Sequence, residues 1–97
     1  HVLSRRQRQM CIRDSVYVTI DIDAFCPSIA PGTGTPSHGG FLYYDVLEIL
    51  QGLSKQNKIV GIDLVEVAPD YDHSGSTTIL AAQILLNFLG FIFHNQK

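Results

Sequence analysis

The chain has 97 residues, 45% of them hydrophobic and 16% charged, and a formal net charge of −2. That length holds one domain at most, and that composition excludes a disordered tail. The charge is uneven. Arg5, Arg6, Arg8 and Arg13 face only Asp14 within residues 1–15, whereas residues 16–97 set three lysines against eight acids. An acidic body offers little to a phosphate backbone, so no nucleic-acid partner is expected, and a cation or cationic substrate suits it better.

Cys11 and Cys26 are the only cysteines and form no CxxC pair, which favours a reducing, cytoplasmic setting. The most apolar stretch, Ile79 to Phe93, is too short for a transmembrane helix and carries Gln83 and Asn87, so no membrane partner is expected. Residues 1–15, HVLSRRQRQMCIRDS, begin with His and contain no apolar run of the signal-peptide type. The string QRQMCIRDS looks like a translated sequencing adapter. Residues 1–15 are therefore expected to be a non-native leader, and residues 16–97 the domain.

In chain order, residues 16–21 (VYVTID) form a nearly continuous apolar run rich in β-branched and aromatic residues, which predicts a strand buried on both faces of a parallel sheet. A Pro- and Gly-rich loop follows over residues 24–41. Tyr43, Val46, Leu47, Leu50 and Leu53 recur at helical spacing and predict an amphipathic helix over residues 42–53, with Gly52 and Ser54 weakening its end. Residues 58–67 (KIVGIDLVEV) read as a second buried strand, broken by Pro69. A polar loop over 70–76 leads into a helix from Thr77 to Phe93. It is apolar almost all round and is expected to pack inside a larger body. Strand, loop, helix, strand, loop, helix is the order of an α/β protein with a parallel sheet.

Four features carry chemistry. In Asp21-Ile22-Asp23, alternate strand residues point the same way, so both carboxylates can face one point at the strand's C-terminal end, where open α/β sheets bind ligands. Two such charges repel unless a cation lies between them, and hard oxygen ligands suit Mn²⁺ or Mg²⁺. A bare DxD equally fits carboxylates capping a loop, or a metal-dependent glycosyltransferase. The loop Ala30 to Pro36 (APGTGTP) lacks both nucleotide fingerprints: Ser37 stands at the third glycine position of GxGxxG, and no Gly-Lys-Ser/Thr is present. Glu66 ends the second apolar run, where it is either the first solvated residue or the receiver of a cation. Asp63 sits inside that run and needs a partner, which suggests support of the site rather than direct chemistry. Asp70 to Gly75 mimics the opening of a calcium loop, but its twelfth position is Ala81 instead of Glu. Asp72 is better explained as a helix cap. His38, His73 and His94 receive no role.

Taken in order, VTIDIDAFCPSIAPGTGTPSHGG, YYDVLEILQGL, IVGIDLVEVAPDYD and the Ala- and Leu-rich helix resemble the C-terminal part of the ureohydrolases, the arginase/agmatinase family, and its agmatinase branch in particular. Nearly all of residues 16–97 takes part. The resemblance implies a three-layer α/β/α fold with a mostly parallel sheet, usually in a homo-oligomer, and two Mn²⁺ ions per complete site. By the same resemblance Asp21 bridges the metals, Asp23 binds one of them, and Glu66 anchors a substrate guanidinium. The implied chemistry is metal-assisted hydrolysis of a guanidino compound, agmatine first among candidates, to urea and an amine. Cys26-Pro27 stands where the family usually has Asp-Pro, and Leu42 where it often has Thr or Ser. The family's Gly-Gly-Asp-His and Asp-Ala-His-x-Asp ligand segments and its catalytic histidine are expected upstream of these residues, so the 97 residues alone are expected to be inactive. A catalytically silent homologue and a DxD glycosyltransferase are the alternatives.

Overall fold

The computed structural model describes residues 14–36 and 38–96. The expected leader thus lies outside the described residues except for Asp14 and Ser15. The elements follow the expected order: β1 (Ser15–Asp21), α1 (Tyr43–Gln56), β2 (Lys58–Val65) and α2 (Ser76–Asn95), with 3₁₀ turns at Ile22–Ala24 and Pro69–Tyr71. β1 and β2 pair in parallel, and the fold is α/β.

The register sets Tyr17 beside Gly61, Thr19 beside Asp63 and Asp21 beside Val65, after an irregularity between Val16 and Tyr17. Side chains alternate across a strand, so this pairing sorts the sheet into two unlike faces. On one face Val18, Ile20, Ile62 and Leu64 pack with α1 and α2 around Ile22, Phe25, Ile84 and Phe88, four residues that are essentially inaccessible to solvent. The other face carries Tyr17, Thr19 and Asp21 beside Gly61, Asp63 and Val65, and there Tyr17 is 60% exposed. The strands are therefore not covered on both faces among the described residues, which supply the sheet and one helical layer.

α1 outlasts its expected end. Ser54 is fully buried, and its hydroxyl donates to the Gln51 carbonyl (2.8 Å) while accepting from the Asn95 amide (2.8 Å). A buried hydroxyl with both bonds made costs the helix little. At the other end Leu42 has no capping oxygen, but the Asp45 carboxylate reaches back to accept from the Leu42 N–H at 3.0 Å, which is half of a capping box. α2 is also longer than expected, at 20 residues, and among the described residues it is long and apolar enough to cross a membrane by length and composition. The expected shortness was therefore wrong. Here its Thr77, Leu80, Ala81, Ile84 and Phe88 are buried against the core, while Leu86 and Phe93 on other faces are exposed. The Gln96 side chain latches its end to the α1–β2 turn, accepting from the Ile59 N–H and donating to the Ser54 and Asn57 carbonyls.

The long loop is tied at two places. Phe25 and Phe41 form an isolated parallel bridge, flanked by hydrogen bonds from the Cys26 N–H to the Phe41 carbonyl (2.8 Å) and from the Phe41 N–H to the Ala24 carbonyl (2.9 Å). Further on, the Gly32 N–H donates to Thr77 Oγ1 (2.8 Å), and the Gly32 carbonyl accepts from the Ala68 N–H (2.7 Å). A methyl group at Gly32 would lie 2.9 Å from Asp72 Cβ and Thr77 Cβ, too close for any side chain. Gly32→Ala is expected to cost about 1–3 kcal/mol, as overpacking of a tight junction does. Thermal unfolding checks this, and an unchanged midpoint would show that the junction yields.

Asp72 holds the start of α2. Its carboxylate accepts from the Thr77 N–H (2.7 Å) and from the Ser74 N–H and hydroxyl (3.1 and 2.8 Å). These bonds, the one from the Thr77 backbone foremost, hold the carboxyl well below the usual carboxylate range. A depressed folded value contributes stability above the unfolded pKa of about 4, and that contribution is lost as pH falls below it. Melts between neutral pH and pH of about 3 are expected to show a steeper acid-side loss for the native sequence than for Asp72→Ala, and the variant is expected to be less stable at neutral pH.

Candidate functional site

Asp21 is the last residue of β1, and Asp23 lies in the turn that follows. The two aspartates are therefore not alternate residues of one strand, as the DxD spacing suggested. The strand stops at Asp21 because the chain turns there, with Ile22 fully buried as the pin of the turn. Asp21 Oδ1 accepts from the Asp23 N–H at 3.2 Å and so caps the turn. Ile20 and Ile22 point into the core on either side, which leaves Asp21 on the opposite side, away from it.

Asp23 Oδ2 accepts from the Thr35 hydroxyl at 2.7 Å. Thr35 belongs to the APGTGTP loop, so the two ties on that loop also fix Asp23. Thr35 was not picked out from the sequence. The only signal for it was a hydroxyl residue in a rigid loop that no nucleotide motif explained.

Glu66 begins one residue beyond the partner of Asp21. It is the only non-glycine residue with positive φ among the described residues, at 71°. The left-handed conformation costs an ordinary residue roughly 1–2 kcal/mol, and such strain concentrates at functional sites. The Glu66 charge reaches Asp21. Partial desolvation raises the Asp21 carboxyl above its ordinary value, and the charges of Asp23 and Glu66 raise it further, against the lowering effect of the Asp23 N–H. The charged neighbours that act on Asp21 are thus both acids.

Asp63 stands apart from these three. One of its oxygens accepts from the Tyr17 hydroxyl at 2.9 Å, and the other is buried with no partner among the described residues. Cys26, where the family usually has Asp, accepts a hydrogen bond at Sγ from the Ser28 hydroxyl at 3.1 Å, and the bonds from Ser28 lower its thiol pKa. Its backbone carbonyl accepts from the Ile29 and Ala30 N–H groups, so the turn survives the departure. An open groove of about 420 Å³ lies elsewhere, lined by Ile29, Tyr43, Ile79, Leu80 and three polar residues, and it includes none of these acids.

Converging carboxylates without a neighbouring cation suit a hard divalent ion. Asp21 and Asp23 fit as two oxygen donors to such an ion. No group of three or more His, Cys, Asp or Glu side chains placed to hold a metal occurs among the described residues.

A parallel α/β unit with paired carboxylates at its strand ends defines a class of ligand-binding α/β proteins. The model of the Arginase family matches residues 1–90, and the chain belongs to that family. It is 46% identical over 82 residues to the mitochondrial guanidino acid hydrolase of Homo sapiens, covering 84% of this chain and 23% of that protein. It is 54% identical over 74 residues to the agmatinase of Chromobacterium violaceum, covering 76% and 23%. Among solved structures, the proclavaminate amidino hydrolase of Streptomyces clavuligerus superposes with a TM-score of 0.77 at 42% identity, over 93% of this chain and 30% of that one. The formimidoylglutamase of Bacillus subtilis does so at 0.79 and 30% identity, over 87% and 26%. The chain spans about a quarter of the length of these curated relatives.

Two substitutions separate the backbone of Glu66 from its carboxylate. Both Glu66→Gly and Glu66→Ala remove the charge, but only glycine accepts a positive φ without strain. Glu66→Gly is expected to be more stable than Glu66→Ala by roughly 1–2 kcal/mol. Denaturant midpoints check this, and equal midpoints would mean that the backbone relaxes.

Proposed function

We propose that the protein carrying this chain is a manganese-dependent amidinohydrolase, cytoplasmic and homo-oligomeric, that hydrolyses a guanidino compound to urea and an amine. The observation that carries this reading is the meeting of Asp21, Asp23 and Glu66 at the adjacent ends of two parallel strands, in a chain of the Arginase family. Its relatives bear the names agmatinase, guanidino acid hydrolase and proclavaminate amidinohydrolase.

Each residue has a distinct task in this reading. Asp21 and Asp23 hold Mn²⁺, two ions in a complete site, and the metal supplies acidification of water and stabilisation of developing negative charge. The Thr35 hydroxyl fixes one oxygen of Asp23 and leaves the other for the ion. Glu66 accepts N–H bonds from the planar guanidinium in a fork, which orients its carbon and cancels part of its charge. The strained backbone sets the direction of that fork before substrate arrives, so less ordering is needed on binding. Asp63 supports the site from the neighbouring strand.

The test is urea release by the full-length protein, loaded with Mn²⁺, from agmatine, guanidinobutyrate, guanidinopropionate and arginine, with Asp23→Ala and Glu66→Ala as controls. Release from one compound is expected, agmatine being the first candidate. Asp23→Ala is expected to abolish it, and Glu66→Ala to reduce kcat/KM by at least 100-fold, the scale of losing a charge-assisted substrate contact of about 3 kcal/mol. No release from any compound by folded, manganese-loaded protein would sink this reading in favour of a silent homologue.

A further inference from the structure

Tyr17 is a residue the proposed chemistry does not use, yet its surroundings are built around it. Its register partner is Gly61, and a Cβ there would lie 2.5 Å from Tyr17 Cδ2 and Cε2. The ring therefore lies on the bare backbone of β2, in space that only glycine leaves open. From there the hydroxyl reaches two residues along β2 and donates to Asp63 at 2.9 Å. The bond raises the Tyr17 pKa, which keeps the phenol a donor.

Asp63 in turn has one oxygen committed to Tyr17 and the other buried with no partner among the described residues. A buried carboxylate oxygen without a donor is costly, and each such atom calls for an explanation. Tyr17, Asp63 and Asp21 share one face of the sheet, because Asp63 pairs with Thr19, midway between Tyr17 and Asp21. The idle oxygen is thus on the face that carries the metal-type carboxylate, one strand over.

We propose that Tyr17 is a positioning residue: lodged on Gly61, it fixes the Asp63 carboxylate so that its second oxygen accepts a hydrogen bond from the ligand shell of the metal held by Asp21 and Asp23. This rests on the metal-dependent reading above. Such outer partners orient first ligands, and their loss commonly weakens metal binding about 10–100-fold.

Mn²⁺ affinity of the full-length protein is the readout, by calorimetric titration of the metal-free form, together with its melting temperature before metal is added. Tyr17→Phe keeps the ring on Gly61 and removes only the hydroxyl. It is expected to leave the metal-free protein folded and to raise the Kd for Mn²⁺ about 10–100-fold. Gly61→Ala displaces the ring and is expected to weaken Mn²⁺ binding to the same extent. If Tyr17→Phe binds Mn²⁺ as the native protein does, the inference is overturned, whether or not the melting temperature falls. If the native protein itself takes up no Mn²⁺, the proposed function falls and this inference with it. Native uptake with an unaffected Tyr17→Phe overturns this inference alone.

Discussion

The site depends first on the parallel pairing of β1 with β2 in a register that sets Asp21 opposite Val65. A slip of one residue would turn every side chain of one strand to the other face. Glu66 would then leave the sheet at a different height from Asp21, and Asp63 would point into the apolar core. The register is held by that core: Ile20 is buried on β1, and Ile62 and Leu64 pack on the same side from β2. Burial of these aliphatic side chains, at about 25 cal/mol per Å² of apolar surface removed from water, is what resists the slip. The acids occupy the face left over, and their approach is tolerated because hydrophobic packing elsewhere enforces it.

The long loop is the second constraint. Its composition suggests flexibility, but its backbone is bonded end to end between Cys26 and Phe41 and at its middle through Gly32 to Thr77 and Ala68. Gly40 presses against the Phe25 backbone, where a Cβ would come within 2.6 Å of carbonyl oxygens. Glycines here permit close approach, which is the opposite of loosening the chain. The consequence reaches the chemistry through Thr35, since a hydroxyl on a fixed loop can hold Asp23 in one orientation. Because Thr77 is also bonded by Asp72, the loop, the second strand's exit and the start of α2 form one connected unit.

The order and type of all four elements were legible in the sequence because each carries a strong periodic or continuous apolar signal. Family-bearing residues were legible because VTIDIDAF and GIDLVEV sit at the strand ends. Among the features that were not, three are instructive. The length of α1 was hidden because Ser54 resembles a helix-ending residue until its partners, Gln51 and the distant Asn95, are known. Turn geometry at Asp23 was hidden because a DxD in extended chain and a DxD across a strand end have the same spacing. The positive φ of Glu66 could not be read at all, since nothing in a glutamate flanked by two valines announces a left-handed backbone. These misses share a cause. Each depends on contacts or backbone states set by residues far along the chain, whereas periodicity reports only on near neighbours.

Ile22 shows how one apolar residue can organise two polar ones. It is completely buried between Asp21 and Asp23, and its burial fixes the point at which the strand becomes a turn. Had the strand continued, Asp21 and Asp23 would stand on one face about two strand steps apart, roughly 6.6 Å along the chain. The turn instead lets the Asp23 N–H bond Asp21 while the Asp23 carboxylate swings to Thr35. One carboxylate is thereby held by the backbone of the other, and the second by a separate loop. Each has one oxygen engaged in a hydrogen bond, an arrangement that orients a pair of donors without neutralising either. In the proposed metal-dependent reading, a cation drawn to that pair would meet ligands already aimed, and the energy that burial of Ile22 contributes to folding would keep them so.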